Sequence, residues 1–522
     1  MSLLAMEELK RNRQKLREGR TKEGRRGKGQ MSARERIEYL FDRDTFLEMS
    51  AYSVHSCHDF GMGEKRAWGD GVIAGMGFVG DRKVFAFAQD FSFMGGSVGE
   101  RHAEKIARLI SCALEENCPV VGLFDSGGAR IQEGVRALAG FGRMFYQNTR
   151  ASGRIPQIAA IMGPCAGGAV YGPALMDYVF MVEGSGRMFI TGPKVVQVVT
   201  GEKVDAQQLG GAAVHGNISG IAHRICKDDR SCLDDIRKLL EFLPDGRSAK
   251  SCREKKESNR PDIRMRPQNP QNYSAVLDHV IPEMPGKPYD IDGMISLLLD
   301  GREFFELQGG YARNLVTGLG RLGGRTVGVV ASNPGHLAGC LDIHASEKAA
   351  RFIRTCDAFG IPIITLVDTP GYLPGCSQEH GGIIRYGSTL LYAYSEAAVP
   401  KITVVMRKAY GGAYIAMCSR SLGADVVFAW PSAEIAVMGP DAAVDIVFQK
   451  ELSQAPDMQK VRNEKVREYR EKFANPYSAA ECGEIDEVIL PSETRERLIR
   501  ALALMPERGL IGNGKKHGNI QI

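Results

Sequence analysis

Two stretches of this chain could do chemistry without a reactive side chain. "GPCAGGAVYGPA" (163–174) and "RKAYGGAYIAMC" (407–418) each follow an apolar run, and each sets two adjacent glycines among small residues with no acid or histidine. What such a turn can offer is backbone. At a strand-to-helix turn the first N–H groups have no intrahelical acceptor, and the positive end of the helix dipole backs them. Glycine lets a ligand come close. A second kind of turn also occurs twice, after a strand ending in aspartate: "DSGGARIQEG" (125–134) and "DTPGYLPG" (368–375). One N–H from each kind of turn, aimed at one oxygen, makes an oxyanion hole. Adjacent glycines at a helix start could instead serve close helix–sheet packing, but both turns recur at matched spacing. A nucleotide-phosphate cradle is the rival. Neither copy has GxxxxGK[ST], nor a full GxGxxG with an acid about 20 residues on. No Ser-His-Asp order is present; His215, His223, His336, His344 and His380 stand apart from one another and read as structural or solvent-facing.

The elements that must position these turns are themselves duplicated. "EKIARLISCALEENCPVVGLFDSGGA" (104–129) matches "EKAARFIRTCDAFGIPIITLVDTPGY" (347–372), with Lys105 meeting Lys348 and Asp125 meeting Asp368, both 243 positions apart. "IPQIAAIMGPCAGGA" (155–169) matches "VPKITVVMRKAYGGA" (399–413) 244 apart, and "IEYLFDRDTFLEM" (37–49) resembles "ISLLLDGREFFEL" (295–307). The chain is therefore read as a tandem duplication, 1–260 and 275–522, joined by a polar, proline-containing linker at 248–274. In each half, short continuous apolar runs ("PVVGLFD", "PIITLVD") predict buried parallel strands. The intervening segments carry apolar residues at helical spacing. Strand–helix–strand–helix order predicts an α/β fold with right-handed crossovers.

Composition bounds the rest. At 522 residues the chain is too long for one ordinary core. A net charge of +5 is small for this length and does not point to nucleic acid. The first ~35 residues are strongly basic and read as a solvated helix or an anion- or partner-contacting arm. Twelve cysteines without paired spacing, and a start without a signal-peptide pattern, predict a reducing, cytoplasmic setting. No apolar run reaches the ~18–20 residues of a membrane span, so no membrane insertion is expected. His55, Cys57 and His58 in "HSCHDF" lack partner ligands, and no metal is predicted.

With both halves in view the chain resembles the biotin-dependent acyl-CoA carboxyltransferases, and most of all the group of propionyl-CoA carboxylase beta chains and methylmalonyl-CoA carboxyltransferase or decarboxylase alpha chains. The stretches that support this include "GDGVIAGMG" (69–77), "FAQDFSFMGGSVGERHAEKI" (87–106), "DSGGARIQEGV" (125–135), "DTPGYLPGCSQEHGGIIRYG" (368–387), "WPSAEIAVMGP" (430–440) and "GEIDEVILP" (483–491). The resemblance implies two crotonase-like (ClpP-like) domains in tandem. The amino-terminal one would be on the acyl-CoA side and the carboxyl-terminal one on the biotin side, within a homohexamer built as a dimer of trimers. Gly128, Ala129, Gly167 and Gly168 would hold the thioester oxygen. Gly371, Tyr372, Gly412 and Ala413 would hold the biotin ureido oxygen, with either member of each pair open as the donor. Biotin itself would serve as base. Ala166, Tyr414 and Ile415 are expected to contact substrate, Ile415 facing the acyl chain.

No biotin-attachment "MKM" motif and no ATP-grasp segment is present. The resemblance therefore implies a separate biotin carboxyl carrier protein, with biotin carboxylase or membrane decarboxylase subunits as further partners. Two other classes stay in view: a biotin-independent crotonase-type hydratase or hydrolase, and a non-catalytic CoA-binding subunit.

Overall fold

The computed structural model describes residues 3–18, 29–244, 273–282, 284, 286–505 and 517–520. The expected linker lies outside these residues except for its last two positions. Contacts divide the chain into two units, Met1–Ser248 with Gly514–Gln521, and Ala249–Asn513. The assignment of the C-terminal segment to the first unit has no counterpart in the sequence reading. It rests on Asn519, whose Nδ2 donates to Asp177 Oδ1 at 2.8 Å and whose N–H donates to Ser152 Oγ at 2.9 Å.

Each unit is one eight-stranded sheet. The first runs β1 (Leu47–Glu48), β2 (Val72–Val79), β3 (Arg82–Gln89), β4 (Val120–Ser126), β5 (Gln157–Ala166), β6 (Tyr178–Val182) and β8 (Arg224–Cys226), with β7 (Arg187–Phe189) also on β5. The second repeats this order with β9 (Phe304–Leu307), β10 (Leu315–Leu322), β11 (Arg325–Ser332), β12 (Ile363–Thr369), β13 (Lys401–Tyr410), β14 (Val426–Ala429) and β16 (Glu487–Val488), with β15 (Glu434–Ala436) on β13. From β3 onward, and from β11 onward, every pairing is parallel. The first strands of each sheet add an antiparallel edge that a purely parallel reading omits.

The buried strands explain the apolar runs. β4 and β12 are buried along nearly all their length because helices cover them. Helix Glu100–Glu115 turns Ala103, Ile106, Leu109, Ile110 and Ala113 into the first core, and helix Ile343–Ala358 takes the same place in the second unit. The repeated lysine of the Glu-Lys pair has a structural cause. Lys105 Nζ donates to the Val72 carbonyl at 2.7 Å, and Lys348 Nζ donates to the carbonyls of Gln308, Tyr311 and Leu315 at 3.0, 2.8 and 2.7 Å. Each buried ammonium ties its helix to the loop that enters the sheet.

Candidate functional site

The aspartate turns leave β4 and β12 at the carboxyl ends of the strands, where open α/β sheets bind ligands. In both units the β4–β5 type of ladder loses register just before the turn, between Phe124 and Ser126 and between Val367 and Thr369. Pairing resumes at Ser126–Cys165 and Thr369–Ala409, which brings the two kinds of turn side by side. A Cβ on Gly128 would stand 2.9 Å from the Ala166 carbonyl, and a Cβ on Gly412 would stand 3.9 Å from the Tyr372 ring.

Hydrogen bonds in the first turn account for all but one of the N–H groups from Gly127 to Arg130, with Gly127 N donating to Gly95 O at 2.8 Å. Gly128 N donates to Ser126 Oγ at 3.1 Å, Val98 N donates to Gly128 O at 2.8 Å, and Arg130 N donates to Val98 O at 2.9 Å. The Ala129 N–H has no acceptor among the described residues. The second unit repeats this. Gly371 N meets Thr369 Oγ1 at 3.4 Å, Leu341 N donates to Gly371 O at 3.0 Å, and Leu373 N donates to Leu341 O at 2.7 Å. The Tyr372 N–H is the one left over. Gly128 and Gly371 adopt φ of +106° and +146°, which other residues rarely reach, so the glycine is needed at both.

The Gly-Gly turns can be sorted in the same way. β7 pairs with β5 through Pro164–Arg187, Cys165–Met188 and Ala166–Phe189. Pro164 has no N–H, so this parallel ladder can run only in the phase that sends the Gly167 N–H to the Phe189 carbonyl. Gly168 is then the free donor. The same three-pair ladder joins β15 to β13 up to Tyr410–Ala436, making Gly412 the counterpart of Gly168. Gly168 and Gly412 are exposed, and a Cβ on either would meet nothing nearer than about 3.9 Å. Ala413 is fully buried. The helices after these glycines are shorter than the sequence suggests: a 3₁₀ turn Gly167–Val170 leading to helix Tyr171–Ala174, and a six-residue helix Gly411–Ala416. So short a helix has little macrodipole, and the free N–H groups themselves are the polar feature.

The surroundings differ between the units. Asp125 is paired with Arg36 (Nη1 to Oδ2, 2.9 Å), while burial pushes its carboxyl up from the usual carboxylate range. Asp368 Oδ2 accepts from Arg407 Nε at 3.0 Å and from Tyr289 Oη at 3.0 Å. The Tyr372 phenol is pushed up to about 12 by burial, and its ring floors the space beside Gly412. Tyr410 donates to Glu434, which Arg470 also holds.

Of the other expected contact residues, Ala166 ends β5 beside Gly167, and Ile415 is 46% exposed on helix Gly411–Ala416. Tyr414 is half-buried with its Oη on Glu484 at 3.1 Å. Sequence reasoning passes over Arg36, Arg407 and Tyr289; a buried arginine does not announce itself in a sequence. Among the described residues no group of three or more His, Cys, Asp or Glu is placed to hold a metal ion. His55 instead meets the Lys65 carbonyl at 3.2 Å, and Cys57 Sγ meets the Gln132 carbonyl at 3.4 Å. No helix among the described residues is long and apolar enough to cross a membrane.

The two parallel-rich sheets match the fold of a solved carboxyltransferase, and residues 25–520 match the carboxyl transferase domain family. The chain belongs to that family, among the biotin-dependent acyl-CoA carboxyltransferases. It is 53% identical over 497 residues to the propionyl-CoA carboxylase carboxyltransferase subunit of Haloferax mediterranei (95% of this chain, 94% of that one). It is 50% identical over 498 residues to the methylmalonyl-CoA decarboxylase alpha subunit of Propionigenium modestum, again over 95% and 94%. The transcarboxylase 12S structure, a hexamer assembly with methylmalonyl-CoA and methylmalonic acid bound, superposes with a TM-score of 0.90 at 45% identity. It covers 100% of this chain and 98% of its own.

Proposed function

We propose that this chain moves a carboxyl group between biotin on a separate carrier protein and the α-carbon of a short acyl-CoA, the pair being propionyl-CoA and methylmalonyl-CoA. The observation that carries this reading is the repeated orphan donor: Ala129 N–H in one unit and Tyr372 N–H in the other, each beside a second glycine turn. Removing the carboxylate of methylmalonyl-CoA leaves an electron pair on the α-carbon, and delocalisation puts its charge on the thioester oxygen. Ala129 and Gly168 N–H hold that oxygen, and their fixed aim lowers the barrier because it needs no reorganisation.

The second pair, Tyr372 and Gly412 N–H, would hold the ureido oxygen of biotin as the first pair holds the thioester oxygen, both being oxyanion holes. The space beside Gly371 and Gly412 is open, and the Tyr372 ring gives it a flat floor. Biotin, when delivered there, supplies the carboxyl-carrying nitrogen and the base for the α-proton. Gly128, Gly167, Gly371 and Ala413 shape these turns, while Ala166, Tyr414 and Ile415 border them. Ile415, apolar and half-exposed, faces the acyl chain.

The working form is a cytoplasmic homohexamer, a dimer of trimers, served by a biotin carboxyl carrier protein and by biotin carboxylase or membrane decarboxylase subunits. Exposed apolar side chains on two matching helices support subunit contacts: Val198 and Val199 on Pro193–Thr200, and Ile446 and Val447 on Pro440–Val447. The test is purified protein with free biotin and methylmalonyl-CoA. Loss of the carboxylate that depends on biotin is the expected result. Product formed equally without biotin would favour a hydratase or hydrolase, and CoA binding without turnover would favour a non-catalytic subunit.

A further inference from the structure

Both units hold the aspartate before the first turn with one buried arginine, yet the two arginines come from non-equivalent places. In the first unit it is Arg36, on helix Ala33–Leu40. Its Nη1 lies 2.9 Å from Asp125 Oδ2, its Nε 2.8 Å from Asp229 Oδ2, and its Nη2 3.4 Å from the Met162 carbonyl on β5. The β5 residue under the carboxylate is Gly163, where a Cβ would fall 2.0 Å from Asp125 Oδ1.

In the second unit the match to Gly163, 244 positions on, is Arg407. Its Nε and Nη2 lie 3.0 and 2.9 Å from Asp368 Oδ2, and the Lys408 N–H donates to Asp368 Oδ1 at 3.1 Å. The helix residue matching Arg36, 258 positions on, is Met294, buried in the apolar core. The guanidinium has moved from helix to strand. Glycine makes room for the carboxylate in one unit, and methionine fills the vacated helix position in the other.

Packing alone does not require this exchange; an apolar pair fills the same space more cheaply than a buried ion pair. What the two units share is the contact and its place. It spans the point where the ladder between the two turn-bearing strands loses register. There the backbone no longer sets the spacing of the strands, and the carboxylate–guanidinium pair does.

We propose that Arg36 and Arg407 are positioning residues for carboxyl transfer, each tying the strand of one turn to the strand of the other and so setting the aim of the two free N–H donors. The proposal rests on the oxyanion-hole reading above. A displacement of about 1 Å at such a site costs about 10²-fold in rate.

The experiment uses the full chain, propionyl-CoA labelled with ¹³C at the thioester carbonyl, and infrared difference spectra of the bound ester. Hydrogen bonds from the hole shift that carbonyl band to lower frequency. Arg36→Met is expected to lose most of the shift and about 10²-fold in biotin-dependent turnover, whereas Arg407→Met is expected to keep the shift and lose turnover alone. Arg36→Lys and Arg407→Lys keep the charge without the fork, and cover the case in which a methionine variant fails to fold. They should fall between wild type and the methionine variants in the same two readouts. No shift in the wild-type complex would overturn the oxyanion-hole reading itself. A wild-type shift retained in full by Arg36→Met, or by Arg36→Lys if only that variant folds, would overturn the positioning role.

Discussion

Both units pair the turn aspartate with an arginine, but past that aspartate the first unit is wired by charge and the second is not. Arg130 is fully buried, with Nη1 at 2.6 Å from Asp70 Oδ1 and 2.8 Å from Glu133 Oε1, and Nη2 at 2.9 Å from the Ser97 carbonyl. Glu133 Oε2 in turn accepts from the Glu100 N–H at 2.7 Å, at the start of helix Glu100–Glu115. Moving on 243 positions, Asp70, Arg130 and Glu133 become Arg313, Leu373 and Cys376. The Ile343 N–H, which matches the Glu100 N–H, is taken there by a neutral group, Gln378 Oε1 at 3.1 Å, while Asp342 caps the Ala345 N–H at 2.8 Å. The backbone bonds that free Ala129 and Tyr372 are the same in both. Side chains that differ in charge, size and partner thus hold one backbone shape. That is what is expected when the shape, and not the side chains, does the work.

The comparison breaks hardest at Arg130. Arg130→Met leaves two buried carboxylates without their cation and should cost about 3–5 kcal/mol of first-unit stability. Leu373→Ala, at a half-buried position, should cost well under half of that. Chemical denaturation of the two variants checks this. Equal losses would mean that the charge wiring is incidental.

The free donors should be next, and here the two units should behave alike. Gly168→Pro and Gly412→Pro each remove one N–H at the first turn of a helix, a position where proline fits. Each should raise the barrier by about 3–4 kcal/mol. The measurement is biotin-dependent decarboxylation by protein of native size. A folded Gly412→Pro variant with unchanged turnover would move the second hole elsewhere.

His102 offers a smaller, pH-dependent contrast, since the second unit has Ala345 in its place. Its ring is fully buried against Gln89 and the Asp70 carbonyl, and burial, with the nearby Arg130 charge, pushes its pKa down to about 3. The unfolded chain takes up a proton below about 6.5 that the folded chain refuses, so stability is present above that pH and is lost as pH falls from 6.5 toward 3. Between pH 7 and pH 5 the loss is about 2 kcal/mol. His102→Gln should flatten this slope in denaturation curves taken across that range. An unchanged slope would put the acid sensitivity in other groups.

Asn519 tests whether the C-terminal segment supports the first unit. Asn519→Ala takes a donor from Asp177, a buried carboxylate that also accepts from the Gln157 N–H at 2.8 Å. A loss of about 1.5 kcal/mol is expected, seen as faster hydrogen exchange along β6 with β14 unchanged.

The part of this molecule that is legible in the sequence is the part that repeats. The duplicated apolar runs and glycine turns gave both sheets, because buried strands and left-handed glycines have local signatures. The carboxyltransferase resemblance also named the turns. What stayed hidden was set by long-range partners. Arg36 reaches Asp125 across 89 positions and Asp229 across 193. Asn519 reaches Asp177 across 342. The choice of donor within each pair depends on which neighbours take up the other N–H groups, and only the ladder phase set by Pro164 and the bridge through Val98 decide that. The family resemblance pairs Gly167–Gly168 with Gly412–Ala413. By register the counterpart of Gly167–Gly168 is Gly411–Gly412.

Ile415 should give the smallest effect, and it sharpens the comparison at the residue that stands in the same place after each glycine turn. Its match in the first unit, 244 positions back, is Tyr171, so an aliphatic side chain and an aromatic one occupy the same place after the glycine turn. Both are partly exposed, at 46% and 47%, which leaves them available to a ligand. If Ile415 faces the acyl chain, shortening it should make room for a longer one. One methylene in an apolar pocket is worth about 1–3 kcal/mol, and half exposure places this site at the low end. Ile415→Ala is therefore expected to raise the ratio of kcat/KM for butyryl-CoA over propionyl-CoA by about tenfold. Tyr171→Ala should leave that ratio within about twofold, since one methylene in contact already sets the scale of a real effect. A ratio that moves with Tyr171 and not with Ile415 would transfer the acyl pocket to the other glycine turn.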